Sequence, residues 1–310
     1  MKNVVLTGAT GFLGRHLAED LCAEGFRVYA VIRPDSKNAA LLPKNERIVP
    51  MMIPLTKISS AEALRNIPID GFFHFAWPGV NREQIGDDTI HLRAASDSVE
   101  VLQSAVELGC RKFVFAGSRS EYGIRNGPFS EDAVCAPGSP YGAAKLAFAN
   151  RAREICESND IQFIHARIFS VYGSDDHPWS LIYSSVRGML KNEPLDFSAG
   201  MHYWNFMYIS DMTDLILTIY NNADRIRKAD NCIFNIATDD IRRLRGFIEE
   251  MYAVTGSSSI LNFGGFQQSA ESAMSVIPDT AKVKGMFDWK PRTAFSDGIR
   301  KMIAAMKEAK

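Results

Sequence analysis

Val4-Val5-Leu6-Thr7-Gly8-Ala9-Thr10-Gly11-Phe12-Leu13-Gly14 decides the fold. Val4 to Leu6 is a short apolar run, and Arg15 to Glu24 has helical spacing. Between them Gly8, Gly11 and Gly14 stand in the pattern GxxGxxG behind a threonine. Glycine has no Cβ, so it permits a tight turn and lets the backbone approach a pyrophosphate, whose charge meets the N-terminus of the following helix. Strand, glycine turn and helix in that order predict a dinucleotide-binding unit.

The same rhythm continues outward. Arg27–Ile32, Gly71–Ala76, Lys112–Ala116 and Phe163–Arg167 read as strands, while Thr89–Leu108 and Tyr141–Ser158 have helical spacing. Strands separated by helices pair in parallel through right-handed crossovers, so the expected fold is α/β, a Rossmann-type doubly wound parallel sheet. After Ser170 come polar loops rich in aromatics (Gly173–Trp179 and Ser198–Trp204), then helices at Asp211–Asn221, Arg242–Thr255 and Ser296–Lys307. Residues 1–170 are expected to form the dinucleotide-binding domain, with 204–236 returning to it. Residues 171–203 and 237–310 are expected to form a smaller, interleaved α/β substrate-binding lobe.

Composition narrows the function. Of 310 residues, 46% are hydrophobic and 23% charged, and the net charge is −1. That balance suits a globular core and gives no field favouring nucleic acid or an anionic membrane. The five cysteines lie far apart without a CxxC pair, and the six histidines are isolated, so no metal site is expected. No apolar run has the length of a membrane span or signal segment, and a cytoplasmic location is the expectation.

Ser139-Pro140-Tyr141-Gly142-Ala143-Ala144-Lys145 combines a helix start with a chemical pair. Ser139 suits the N-cap and Pro140 the first helical position. Tyr141 and Lys145 then share one helix face. A phenol with a pKa of about 10 is a poor acid–base group near neutrality. A neighbouring ammonium is expected to favour the phenolate and bring it closer to useful range.

Gly117-Ser118-Arg119-Ser120-Glu121-Tyr122-Gly123 follows the strand ending at Ala116. With the glycine turn and the Tyr141–Lys145 pair, it resembles the extended short-chain dehydrogenase/reductase family, the NAD-dependent epimerase/dehydratase superfamily. The resemblance makes Ser118, Tyr141 and Lys145 the catalytic trio: Ser118 polarising the reacting oxygen, Tyr141 moving its proton, Lys145 tuning the phenol and holding the nicotinamide ribose. It places Gly8, Thr10, Gly11, Phe12, Leu13, Gly14, Arg33, Leu55, Phe75, Ala76, Tyr141, Lys145 and Ile168 along the cofactor, and Ser118, Arg119, Ser120, Ser170 and His177 along the substrate. Arg33 follows the second strand where NAD-preferring proteins offer an acidic residue, and an arginine can pair a 2′-phosphate. NADP is therefore the expected cofactor, with NAD possible.

Arg167-Ile168-Phe169-Ser170-Val171-Tyr172-Gly173, Trp204–Asp211 and Asp288-Trp289-Lys290-Pro291 extend the resemblance to the nucleotide-sugar 4-ketoreductase branch. Dehydratases of the family carry Asp-Glu directly after the Ser or Thr, and this chain has Arg119-Ser120. Some epimerase-reductases carry a cysteine where Ser120 stands. The resemblance then implies NAD(P)H-dependent reduction of a 4-keto nucleoside-diphosphate sugar by a homodimer built on Thr89–Leu108 and Tyr141–Ser158. A 4-epimerase with retained NAD and a non-catalytic dinucleotide sensor are the alternatives. Two family positions depart from pattern: Pro54 replaces an acidic residue after the third strand, and Ser269 aligns with the arginine that reaches the diphosphate. Arg82, Arg119 and Arg187 are the candidates to compensate.

Overall fold

The computed structural model describes residues 1–308 except 82, 126, 227–231 and 267–273. In chain order the elements are β1 (Asn3–Thr7), α1 (Phe12–Ala23), β2 (Arg27–Ile32), β3 (Ile48–Met52), β4 (Gly71–His74), α2 (Asp88–Glu107), β5 (Lys112–Ser118), α3 (Pro140–Ser158) and β6 (Gln162–Ile168). There follow β7 (Val171–Tyr172), α4 (Leu181–Leu190), β8 (Leu195–Phe197), β9 (Tyr203–Asn205), β10 (Met207–Tyr208), α5 (Ile209–Asn221) and β11 (Ile233–Ile236). The chain ends with β12 (Ile241–Arg243), α6 (Leu244–Thr255), β13 (Leu261–Phe263), α7 (Ala281–Phe287) and α8 (Phe295–Glu308).

Two compact units emerge, the first comprising residues 1–123, 131–168 and 213–234. Its seven-stranded sheet has the order β11-β6-β5-β4-β1-β2-β3. Pairing is parallel from β3 through β6. The doubly wound expectation therefore holds. The order reverses between β1 and β4, the switch point where ligands of such sheets bind beyond the strand C-termini. Helix α2 starts where Asp87 accepts the Ile90 N–H at 3.0 Å. Helices α2 and α3 cover one sheet face, burying Val101, Leu102, Phe148 and Ala152 against Val5, Phe72, Phe113 and Phe115. The apolar-run reading passes over β3, because Pro50 interrupts it and Met52 is exposed. Proline is tolerated there because β3 is an edge strand.

The second unit comprises residues 124–130, 169–212 and 235–310. Its strands form three small pairs, β7 with β10, β8 with β13 and β9 with β12. An aromatic core of Tyr172, Phe206, Phe247 and Phe295 joins α6 and α8 to these pairs. The short segment 124–130 is held there by Phe129, whose N–H donates to the Ile277 carbonyl at 2.8 Å and whose carbonyl accepts Asn235 Nδ2 at 2.7 Å. No helix among the described residues is long and apolar enough to cross a membrane.

Phe247 is fully buried and packs edge-to-face on both Phe206 and Phe295. Phe247→Ala is expected to destabilise the protein by about 3–5 kcal/mol, read as a lowered midpoint in urea unfolding. An unchanged midpoint would show that this cluster is not the core of the second unit.

Candidate active site

Strand β5 ends on Ser118, which then caps one 3-10 turn, Arg119–Glu121. The Ser118 hydroxyl accepts the Ser120 N–H at 3.2 Å, and the Glu121 carboxylate accepts the Ser118 N–H at 2.7 Å. This is a reciprocal capping box, so the serine is fixed by its own turn. Helix α3 begins as its sequence requires: Ser139 Oγ accepts the Gly142 N–H at 3.2 Å and Pro140 takes the first position. Gly142 lets the helix start rest on the turn, since a Cβ there would collide with the Ser120 carbonyl.

That approach brings the expected trio together. The Tyr141 phenol hydrogen-bonds the Ser118 hydroxyl. One helical turn later, Lys145 is buried beneath the end of β5, with Nζ donating to the Ala116 carbonyl at 2.5 Å. Its ammonium lies 4.4 Å from the Trp77 ring centroid and 4.9 Å from that of Phe115. Trp77 Nε1 donates to His91 Nδ1 at 3.2 Å, and both rings pack edge-to-face on Tyr141.

The electrostatics differ from the sequence expectation. Burial pushes the Tyr141 phenol up to about 12, an effect the Ser118 hydrogen bond and Arg119 only partly oppose. Lys145 does not lower it. Its ammonium is directed to a backbone carbonyl and sits 5.6 Å from the Tyr141 ring centroid, while burial brings Lys145 itself down to about 7. The phenol is thus held protonated at neutral pH, ready to give a proton rather than to take one.

At the switch point, backbone meets backbone. Gly8 has φ +78°, and a Cβ on it would lie 2.6 Å from the Phe75 carbonyl carbon and 2.7 Å from the Ala76 nitrogen. A Cβ on Gly14 would collide with the Gly8 carbonyl. Gly11 caps α1 without any side-chain hydrogen bond, which leaves the first-turn N–H groups to meet an anion. Behind this loop, Thr7 Oγ1 accepts the Ala76 N–H at 3.2 Å and bonds His74 Nδ1 at 2.8 Å. His74 Nε2 bonds Ser98 Oγ at 2.9 Å, and burial lowers the imidazole to about 3, so it stays neutral. A side-chain-free cradle at a helix N-terminus fits a dinucleotide pyrophosphate. Among the described residues no group of three His, Cys, Asp or Glu side chains is placed to hold a metal ion.

The other expected residues are distributed as follows. Thr10 and Leu13 are half-buried in or beside the glycine turn, and Phe12 is buried as the first residue of α1. Arg33 is exposed directly after β2. Leu55 packs on the core cluster between α2 and the sheet, while Phe75 and Ala76 follow β4 half-buried. Ile168 is buried at the end of β6 opposite Ser118, and Ser120 is half-buried. Ser170 and His177 lie in the second unit. Ser170 Oγ accepts from Trp204 Nε1 at 3.1 Å, and His177 is exposed and stacked on Trp179 at 4.4 Å. Arg187 is exposed in the last turn of α4. Arg82 and Ser269 lie outside the described residues.

Sequence reasoning missed Trp77, His91 and a fully buried cluster of Glu121, His165 and Arg167. The cluster had a legible signal. Ser118-x-x-Glu121 is a capping-box pattern, and His165 and Arg167 alternate within an otherwise apolar strand, where polar side chains need partners. Trp77 and His91 had none, because their meeting depends on the path of the loop between β4 and α2.

The NAD dependent epimerase/dehydratase family matches residues 4–237. An uncharacterized UDP-glucose epimerase, YtcB, of Bacillus subtilis is 28% identical, with 97% of this chain and 96% of the relative covered. CDP-abequose synthase of Salmonella typhimurium is 23% identical, with 97% of each covered. Among solved structures, MoeE5 in complex with UDP-glucuronic acid and NAD superposes with a TM-score of 0.83 at 24% identity, covering 99% of this chain and 100% of that one. That is a likeness of fold.

Gly14→Ala is expected to weaken dinucleotide binding by more than about tenfold, measured by the fluorescence of bound NADPH. Unchanged affinity would show that the cradle is not the cofactor site.

Proposed function

The chain belongs to the NAD dependent epimerase/dehydratase family, and from that premise we propose that it reduces the 4-keto group of a nucleoside-diphosphate 6-deoxy-sugar, with NADP(H) preferred over NAD(H). The observation that carries the reading is the protonated Tyr141 phenol bonded to Ser118, with Arg119 and Ser120 next in the turn. Elimination of water needs a carboxylic acid–base pair beside the reacting sugar, and that turn offers an arginine and a serine instead. Similarity to CDP-abequose synthase supports the choice of branch.

A dinucleotide held by the glycine cradle would supply hydride chemistry at the sugar C4. Ser118 donates a hydrogen bond to the carbonyl oxygen and polarises it. Tyr141 gives its phenolic proton to the same oxygen as the C–O double bond becomes a single bond, so hydride and proton together complete the alcohol. Lys145, close to half-charged at neutral pH and one helical turn from the phenol, holds the cofactor ribose. Leu55, Phe75, Ala76 and Ile168 complete the cofactor contacts. Arg33, exposed after β2 where an acidic residue would favour NAD, is placed to pair a 2′-phosphate. The enzyme works in the cytoplasm as a homodimer through α2 and α3, which pack side by side on one face of the sheet.

A nucleotide-sugar 4-epimerase is the second reading, favoured by the similarity to YtcB. Stoichiometric NADPH oxidation with a 4-keto nucleotide sugar supports the reductase, and a copurifying, non-exchanging NAD contradicts it. Tyr141→Phe is expected to lower kcat by about 10²–10⁴-fold with NADPH affinity within roughly twofold of wild type. Substantial turnover in this variant would remove Tyr141 from the mechanism. Arg33→Ala is expected to weaken NADPH binding by about tenfold and to leave NADH binding unchanged. Equal effects on both cofactors would remove the 2′-phosphate role.

A further inference from the structure

Glu121 is the least exposed carboxylate near the trio and has no part in the chemistry above. Oε1 accepts the Ser118 N–H at 2.7 Å and faces His165 Nε2 at 3.1 Å. Oε2 lies 2.9 Å from His165 Nε2 and 3.0 Å from Arg167 Nε. The Arg167 guanidinium in turn lies 4.3 Å from the Tyr122 ring centroid. All three side chains are nearly inaccessible, and His165 Nδ1 has no hydrogen-bond partner. The backbone is shaped for the cluster, since a Cβ on Gly117 would lie 2.6 Å from Glu121 Oε1 and collide with His165 Nε2. Gly117 has no positive φ, so the space and not the conformation requires glycine.

We infer that Glu121 is a positioning residue, fixing the Ser118 turn and placing one permanent negative charge behind Tyr141 and Lys145. The inference rests on the trio acting as proposed above. Taking a carboxylate out of water is costly, and a purely structural strut would be as stable with uncharged groups of the same shape. Here burial works against the anion, and His165 beside it, by charge and hydrogen bond, together with Arg167 and the Ser118 N–H, outweighs burial and holds the carboxyl below the usual range. Burial lowers His165 below the usual imidazole range, against the opposing pull of Glu121. The anion favours the Lys145 ammonium and disfavours the Tyr141 phenolate. Both effects suit an enzyme whose tyrosine donates a proton.

The groups bearing on this charge come from every neighbouring element. His165 and Arg167 lie on β6, Ser118 on β5, and Tyr141 and Lys145 on α3. Arg119 acts on Tyr141, Arg153 on His165, and Tyr122 and Cys135 on Arg167. Glu121→Gln keeps the shape and the acceptor for Ser118 while removing the charge. Without the anion, Lys145 loses its proton at lower pH. The alkaline loss of NADPH affinity is therefore expected to begin roughly one pH unit earlier than in wild type, with kcat falling more than KM changes.

A folded Glu121→Gln protein whose binding midpoint matches wild type would overturn the inference. Should that variant not fold, Gly117→Ala displaces the cluster while keeping its charge. It is expected to lower kcat by about tenfold with NADPH affinity within roughly twofold, and wild-type kcat would overturn the inference. Absence of turnover by the wild type on any 4-keto nucleotide sugar would instead remove the proposed reaction. The NADPH-binding midpoint would still read the effect of Glu121.

Discussion

Close approach of backbone to backbone is the constraint on which this protein's chemistry depends. Three such approaches shape the site: Gly8 on the β4 loop, Gly14 on Gly8, and Gly142 on the Ser120 carbonyl, while at Gly117 the side chains of Glu121 and His165 leave no room for a Cβ. The first two shape an anion-binding turn at the switch point of the sheet. Gly142 brings the start of α3 onto the turn after β5, so that Tyr141 reaches Ser118. Remove that contact and the serine on β5 is parted from the phenol and the lysine on α3.

Given this geometry, burial sets the protonation of the site. The phenol is raised and the ammonium lowered, both chiefly by loss of water. A tyrosine that stays protonated suits delivery of a proton to a new alkoxide, and a lysine near half-charge is responsive to a neighbouring anion. Glu121 supplies one, itself offset by Arg167. The aromatic walls of Trp77, Phe115 and Tyr141 around Lys145 leave the cation facing ring faces and a single carbonyl.

Much of this was legible in the sequence because it is local. The glycine turn, the Ser139-Pro140 helix start and the one-turn spacing of Tyr141 and Lys145 depend on residues a few positions apart. The parallel, doubly wound sheet followed from alternation of strands and helices. What escaped depends on contacts between distant segments. Trp77 and His91 meet over Tyr141 only because the loop after β4 folds back on α2. The charge relation between Tyr141 and Lys145 was misjudged because spacing reports proximity but not desolvation, and Nζ turns toward Ala116. Edge strand β3 carries no apolar run because Pro50 interrupts it, so only the family resemblance marked it, and the tiny paired strands of the second unit are too short to carry a periodic signal.

Everything proposed for Ser118, Tyr141 and Lys145 comes down to net reduction at a sugar carbon. The most direct measurement uses NADPH deuterated at the transferable position, together with a 4-keto-6-deoxy nucleotide sugar. Net reduction places one deuterium at C4 of the product for each NADPH consumed, with one stereochemistry. Interconversion of C4 epimers with no net consumption of NADPH and no deuterium incorporated would contradict it.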